Sequence, residues 1–233
     1  IVDALQLKIR KGGRVIPQSA VLAVGVNAEG YREVLGLMIG DSESEASWSE
    51  FFTWLKQRGL TGVDLVVSDH HGGLVNAIRR HFQGASWQRC QVHLMRNVLD
   101  AAPAHCQHSL KAKIRLMFNA PDMETARRLL DDILSEYGSR APKAVACLEA
   151  GFEDAMAVMA LPECYRRRLR STNGLERLNR EVRRRERVIG IFPNVASALR
   201  LLGALLMEQD EEWTTGRCYL RMDEYWQWKK AKD

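Results

Sequence analysis

The chain has 233 residues, 46% of them apolar and 27% charged, with a formal net charge of +5. That length suits one large domain or two small ones, and the composition excludes a disordered chain. No run of about 18 apolar residues occurs, so no membrane-spanning helix is expected, and the positive balance points to a polyanionic partner.

The first third alternates between apolar runs and turn residues. DALQLKI (3–9), SAVLAVGV (19–26) and YREVLGLMI (31–39) read as three strands separated at Gly12-Gly13 and Glu29-Gly30, which predicts an antiparallel meander. SWSEFFTWLKQRG (47–59) carries Trp48, Phe51, Phe52, Trp54 and Leu55 at helical spacing and closes at Gly59. VDLVVSD (63–69) reads as a buried strand, HGGLVNAIRRHF (71–82) as a helix and SWQRCQVH (86–93) as a further strand. The order β-β-β-α-β-α-β predicts an α/β fold, a mixed sheet with helices on its faces.

From Leu94 to Arg170 the pattern becomes helical. Leu110, Ile114, Met117 and Phe118 share a face; so do Ala126, Leu129, Leu130, Ile133, Leu134 and Tyr137, then Cys147, Leu148, Phe152 and Ala155. Pro103, Pro121 and Pro142 mark the breaks. This block reads as an all-α insertion. The expected organisation is a core over 1–93, the insertion over 94–170, and returning core helices over 171–233. A long amphipathic helix is expected at 196–213, and the aromatic tail at 219–230 shows no clear period.

Five cysteines, Cys90, Cys106, Cys147, Cys164 and Cys218, are irregularly spaced, which fits a reducing compartment better than a disulfide framework. There is no signal peptide, and the start at Ile1 rather than Met leads us to expect a fragment or a processed chain.

Residues 166 to 187 hold ten arginines and only three carboxylates. Among those acids, Glu176 has two readings. It completes a capping box with Asn173 as N-cap, with arginines favoured at the far end of the helix and Gly190 stopping it; Leu175, Leu178 and Val182 are then its buried stripe. Alternatively it binds a metal ion while the arginines hold phosphates. Asp3 is either a fraying terminal residue or an acid placed in a strand for function. Asp69 is either a turn or N-cap residue or a functional group at the carboxyl end of a strand. Each acid has a bland account, but the combination does not. Divalent ions acting on phosphodiesters need hard oxygen ligands, and two such ions can clamp the attacking and leaving oxygens.

Four ordered segments carry a resemblance that covers nearly the whole chain: VDALQLKIRKGGRV with AVLAVGVNAEGYREVLGL, LVVSDHHGGLVNAI, SWQRCQVHLMRN and RRRLRSTNGLERLNREVRRR. The chain resembles the catalytic domain of Mutator-like bacterial insertion-sequence transposases, which are similar to DDE transposases with a ribonuclease H-like fold. The resemblance implies a mixed five-stranded sheet flanked by helices, with the all-α insertion before the last catalytic helix. It implies Asp3, Asp69 and Glu176 as catalytic and metal-binding acids, two Mg²⁺ ions with Mn²⁺ as a substitute, and no nucleotide cofactor. It implies double-stranded DNA (transposon ends and target) as substrate, a homo-oligomer on DNA, and a bacterial cytoplasmic, nucleoid-associated setting. Such transposases usually carry an N-terminal helical DNA-binding region, so recognition of the transposon ends is not expected within these residues.

Arg166, Arg167, Arg168, Arg170, Arg177, Arg180, Arg183, Arg184 and Arg187 are the expected DNA-backbone contacts. The family's C-x-x-H signature is matched by Cys90-Gln-Val-His93. Its spacing suggests half a zinc site, with His105, Cys106 and His108 as the remaining candidates; the preferred reading is a buried thiol and a hydrogen-bonded histidine that brace the site. Asn173 is a supporting residue, and His70 and His71 are candidates for contact with metal-bound water or phosphate. Residues 94–170 contain no Trp; Phe118, Tyr137, Phe152 and Tyr165 read as core, and no base-flipping pocket is expected. A nuclease that hydrolyses without joining, and a non-catalytic DNA-binding derivative of a transposase, are the alternatives.

Overall fold

The computed structural model describes residues 1–231. The chain divides into two compact units: one comprises residues 1–66, 71–85 and 172 onward, the other residues 67–70 and 86–171.

The first unit is built on an antiparallel sheet in the order β1 (Val2–Lys11), β2 (Arg14–Val26), β3 (Arg32–Gly40). Gly12 and Gly13 both have positive φ and join β1 to β2 directly after the Lys11–Arg14 pair, the two-residue hairpin whose twist suits the flanking strands. A bulge interrupts the β2–β3 ladder at Ala23/Val24. β2 is central and buried continuously from Gln18 to Val24. β1 alternates, burying Leu5, Leu7 and Ile9 while Gln6, Lys8 and Arg10 face solvent.

Helices α8 (Asn173–Ile189) and α9 (Val195–Thr215) cover the face to which Leu5, Leu7, Ile9 and Ala20 contribute. Val182, Phe192, Ala198 and Leu202 join those residues in one cluster. Leu175, Leu178, Leu206 and Trp213 pack with Leu22 and Val24 in a second. Each Val, Leu, Ile or Phe among them, fully buried, stabilises the fold by roughly 1.5–3 kcal/mol. Helix α1 (Glu45–Gln57) buries Trp48, Phe51, Phe52 and Leu55, and packs on α2 (Gly72–His81). The tail is ordered as α10 (Asp223–Lys230), where Tyr225 and Lys229 bind Asp64 at 2.7 and 2.6 Å. Its short aromatic helix has no buried face, so no helical period marks it in the sequence.

Gly30 fixes where the tail returns. Its φ is +90°, and its carbonyl accepts the N–H groups of Tyr219 (2.9 Å) and Leu220 (3.0 Å). A Cβ at this position would lie 1.8 Å from the Leu220 carbonyl oxygen. Gly30→Ala is therefore expected to lower unfolding free energy by roughly 2–4 kcal/mol, through positive-φ strain plus overpacking. Gly40→Ala, where a Cβ meets nothing within 4 Å, should stay within about 0.5 kcal/mol. Denaturant titration of the two variants checks the contrast, and equal midpoints would refute it.

The second unit is helical: α3 (Gln91–Asp100), α4 (Ala104–Phe118), α5 (Met123–Tyr137), α6 (Pro142–Met156), a 3₁₀ turn (Ala157–Ala160) and α7 (Glu163–Leu169). Its core joins Leu94, Val98, Cys106, Leu110, Ile114, Met117, Ile133, Leu148 and Phe152. Phe118, Tyr137, Phe152 and Tyr165 are all buried. Pro142 opens α6 at a position where its missing N–H costs nothing. Asp122 caps α5 by accepting the Thr125 N–H at 2.7 Å. Two buried glutamines tie the start of the unit to the end of α6. Gln88 donates to the Ala155 carbonyl and accepts the Val158 N–H, and Gln91 donates to the same Ala155 carbonyl.

Two sequence expectations are corrected. The five strands do not form one hydrogen-bonded sheet among the described residues: β4 (Leu65–Ser68) and β5 (Ser86–Arg89) pair as a separate two-stranded sheet. Each is only four residues long, so each has few backbone groups to offer beyond its partner. The run expected as strand over 86–93 also ends early. It stops at Arg89, and α3 begins at Gln91 because Gln91, Leu94 and Val98 bury one helical face. No helix among the described residues is long and apolar enough to cross a membrane.

Candidate active site

Asp3 sits near the start of β1, half-buried. Its Oδ1 accepts the Ala4 N–H at 2.9 Å and its Oδ2 accepts the Asn179 side-chain N–H at 2.6 Å. Asn179 belongs to α8 and is 7% exposed. It reaches Asp3 because Leu175, Leu178 and Val182 seat that side of α8 on the sheet. Glu176 lies three residues before Asn179, so the two occupy one side of the helix one turn apart.

The start of α8 does not form the expected capping box. Thr172, not Asn173, occupies the N-cap position, and no side-chain cap hydrogen bond is made. Asn173 is the first helical residue, so Glu176 is the fourth and stands one position too far along to fold back in a box. Near the helix start its charge is also favoured by the helix dipole. Gly190, with φ +72°, ends the helix as expected.

The second unit contains Asp69, His93 and Cys90. Asp69 follows β4 directly, and its Oδ1 lies 2.8 Å from His93 Nδ1. Cys90 is buried at the N-cap position of α3, and its N–H donates to the Ser68 carbonyl at 2.8 Å. Hydrogen bonding to Asp69 pushes the His93 imidazole up to about 10, with Cys90 adding to the rise and burial opposing it. A raised folded value means that this contribution to stability is complete below the ordinary histidine value of 6.5, and is lost as pH climbs through about 10. At neutral pH His93 is thus an imidazolium paired with the Asp69 carboxylate.

The other histidines differ. His70 is exposed, its ring 5.8 Å from that of Trp87. His71 is the exposed N-cap residue of α2 in the first unit and makes no side-chain cap bond. Cys106 is buried in the α4 core, while His105 and His108 on the same helix are exposed. Neither unit by itself, among the described residues, gathers three His, Cys, Asp or Glu side chains as a metal-ligand cluster.

The nine arginines fall into two groups. Arg166 donates to the carbonyls of Leu161 (2.9 Å) and Pro121 (2.8 Å). Arg170 donates to Asn119 Oδ1 at 2.7 Å, and burial lowers its pKa, helped by the nearby Arg167 charge. These two guanidinium groups brace α7 against the turn between α4 and α5. Arg167, Arg168, Arg177, Arg180, Arg183, Arg184 and Arg187 are exposed. Arg177, Arg180, Arg184 and Arg187 follow a 3-4-3 spacing that lines one side of α8, and Arg184 also pairs with Glu181 at 3.0 Å. Asn179 is the site residue that the motif reading missed. The available signal was an amide placed on the apolar stripe, one turn after Glu176.

These features describe a mixed α/β chain in which an acid of β1 is held by a strongly basic helix, a chemistry suited to a polyanion. Residues 1–216 match the family model described as "Transposase, Mutator family", and the chain belongs to that family. It is similar to the transposase for insertion sequence element IS256 in transposon Tn4001 of Staphylococcus aureus, 43% identical over 226 residues, which are 96% of this chain and 58% of the relative. It is likewise 43% identical to the transposase for insertion sequence element IS1081 of Mycobacterium tuberculosis, over 95% of this chain and 53% of the relative. The same identity holds with the transposase for insertion sequence element IS406 of Burkholderia multivorans, over 95% and 58%. The chain thus spans somewhat over half the length of these relatives.

Proposed function

We propose that this chain is the catalytic part of a DDE transposase, ribonuclease H-like in design, that cuts phosphodiesters at transposon ends and joins the freed ends to target DNA. The observation that carries the reading is Asp3 held by Asn179, one turn from Glu176 on the arginine-rich helix, in a chain of the Mutator transposase family. Asp3, Asp69 and Glu176 would hold two Mg²⁺ ions, with Mn²⁺ as a substitute. Their carboxylates are the hard oxygen donors those ions require, and Asn179 Oδ1, buried and with no hydrogen-bond partner among the described residues, is a further oxygen on the residue that holds Asp3. When bound, the ions supply Lewis acidity at the scissile phosphate.

The chain's own groups do the positioning. The Ala4 and Asn179 N–H groups orient Asp3, and His93 holds Asp69 in place. In the first step water displaces the 3′-oxygen at the transposon end, leaving a 3′-hydroxyl and a 5′-phosphate. In the second, that 3′-hydroxyl displaces a 3′-oxygen in the target strand. Both are in-line displacements at phosphorus, so one set of acids serves both. The substrate is double-stranded DNA, and two ends to be joined call for a homo-oligomer.

The test is a strand-transfer assay with a pre-cut end, Mg²⁺ and a target plasmid. Joined product supports the reading. Hydrolysis without joining would make the chain a nuclease, and DNA binding without metal-dependent chemistry would make it a non-catalytic derivative. The exposed arginines add a separate expectation. Arg183→Ala with Arg184→Ala should weaken binding similarly across DNA sequences, and lower the salt slope by roughly one per lost phosphate contact. An unchanged slope would give those residues a structural task instead.

A further inference from the structure

Resting on that reading, we infer that Asn179 is a positioning residue for the metal site: it fixes the Asp3 carboxylate with its amide N–H and offers its carbonyl oxygen to a metal-bound water. The orientation of the amide follows from chemistry. An ionised carboxylate only accepts, so the group 2.6 Å from Asp3 Oδ2 must be the Asn179 Nδ2. Reversing the amide would set two oxygens against each other at that distance. The orientation that satisfies Asp3 leaves Asn179 Oδ1 buried and without a hydrogen-bond partner among the described residues. Buried polar atoms are rarely left so, and an orphaned acceptor beside a carboxylate suits a donor that arrives with a ligand. Water bound to a divalent cation is such a donor, since the cation polarises its O–H groups. Glu176, one turn earlier on the same side of α8, places a second oxygen donor nearby.

Asn179 lies among Leu175, Leu178 and Val182, so a purely structural role predicts that an apolar side chain of similar shape would serve as well. Asn179→Leu separates the two roles, because it keeps the branched outline of the side chain and removes both the donor and the acceptor. In the 233-residue chain, Mn²⁺ binding measured by calorimetry should weaken about 10- to 100-fold, the usual range when a partner of a metal ligand is lost. The melting transition in EDTA should stay close to that of the unaltered chain. Asn179→Asp is the second variant, and it would keep the test open if the leucine variant failed to fold. It sets a carboxylate against Asp3, so its melting temperature should fall in EDTA and recover by more than the wild-type increment when Mn²⁺ is added.

Wild-type Mn²⁺ affinity in Asn179→Leu, or an Mn²⁺ increment no larger than wild type in Asn179→Asp, would overturn the inference. Asp3→Ala is the control that keeps the two readings apart. If it loses Mn²⁺ binding while Asn179→Leu retains it, only the role of Asn179 fails. If the unaltered chain binds no Mn²⁺, or Asp3→Ala binds it normally, the metal site itself fails.

Discussion

Glu176→Gln is expected to lower strand transfer of a pre-cut end by about a thousandfold or more while DNA affinity stays within about twofold. Glutamine keeps the shape and the helix but removes the charge that a divalent cation requires. Metal ions stabilise the transition state of such displacements by several kcal/mol, and about 4 kcal/mol corresponds to three decades of rate. Asp3→Asn and Asp69→Asn should behave alike, because all three acids are assigned the same task. Gel-based single-turnover transfer and a parallel filter-binding measurement provide the check. The capping alternative makes the opposite forecast: Glu176→Gln would be almost silent, since glutamine serves in a capping box as glutamate does. That alternative is already weakened by the start of α8, where Thr172 takes the N-cap position and no side-chain cap bond forms.

The second large effect concerns His93. His93→Phe keeps a ring in the space beside Cys90 but removes the cation 2.8 Å from Asp69. The expected outcome is a 10- to 100-fold loss of single-turnover transfer, the scale on which the supports of metal ligands act. The Mg²⁺ concentration for half-maximal rate should rise as well, because Asp69 is no longer held in a binding orientation. Asp69 is partly exposed, so solvent can take over some of the lost pairing, and the variant is expected to fold. A changed melting temperature with an unchanged Mg²⁺ midpoint would assign the ion pair to stability alone.

Much of the architecture is legible in short windows. Alternation in β1, the Gly12-Gly13 pair and the apolar run of β2 define the hairpin, because strand period and turn chemistry are properties of adjacent residues. The helices from α4 to α6 follow from their apolar spacing and from Pro103, Pro121 and Pro142. The same local view fails where the decisive contact is distant. It extended a strand through Cys90 and His93, because the buried helical face of Gln91, Leu94 and Val98 is defined by what packs on it. Nor did it show that Arg166 and Arg170 donate to carbonyl and amide oxygens at the far end of α4 and beyond.

By itself the sequence determined the element types, the helical block, the basic helix with Glu176 near its start, and, through four ordered motifs, the Mutator-family resemblance. Only the tertiary structure decided that β4 and β5 pair apart from β1–β3, that Glu176 is outside a capping box, and that Asn179 holds Asp3 across 176 residues. The physical reason is range. Backbone period and turn preference act between neighbours, whereas a carboxylate's hydrogen-bond partner is chosen by how apolar faces far apart in the chain pack together.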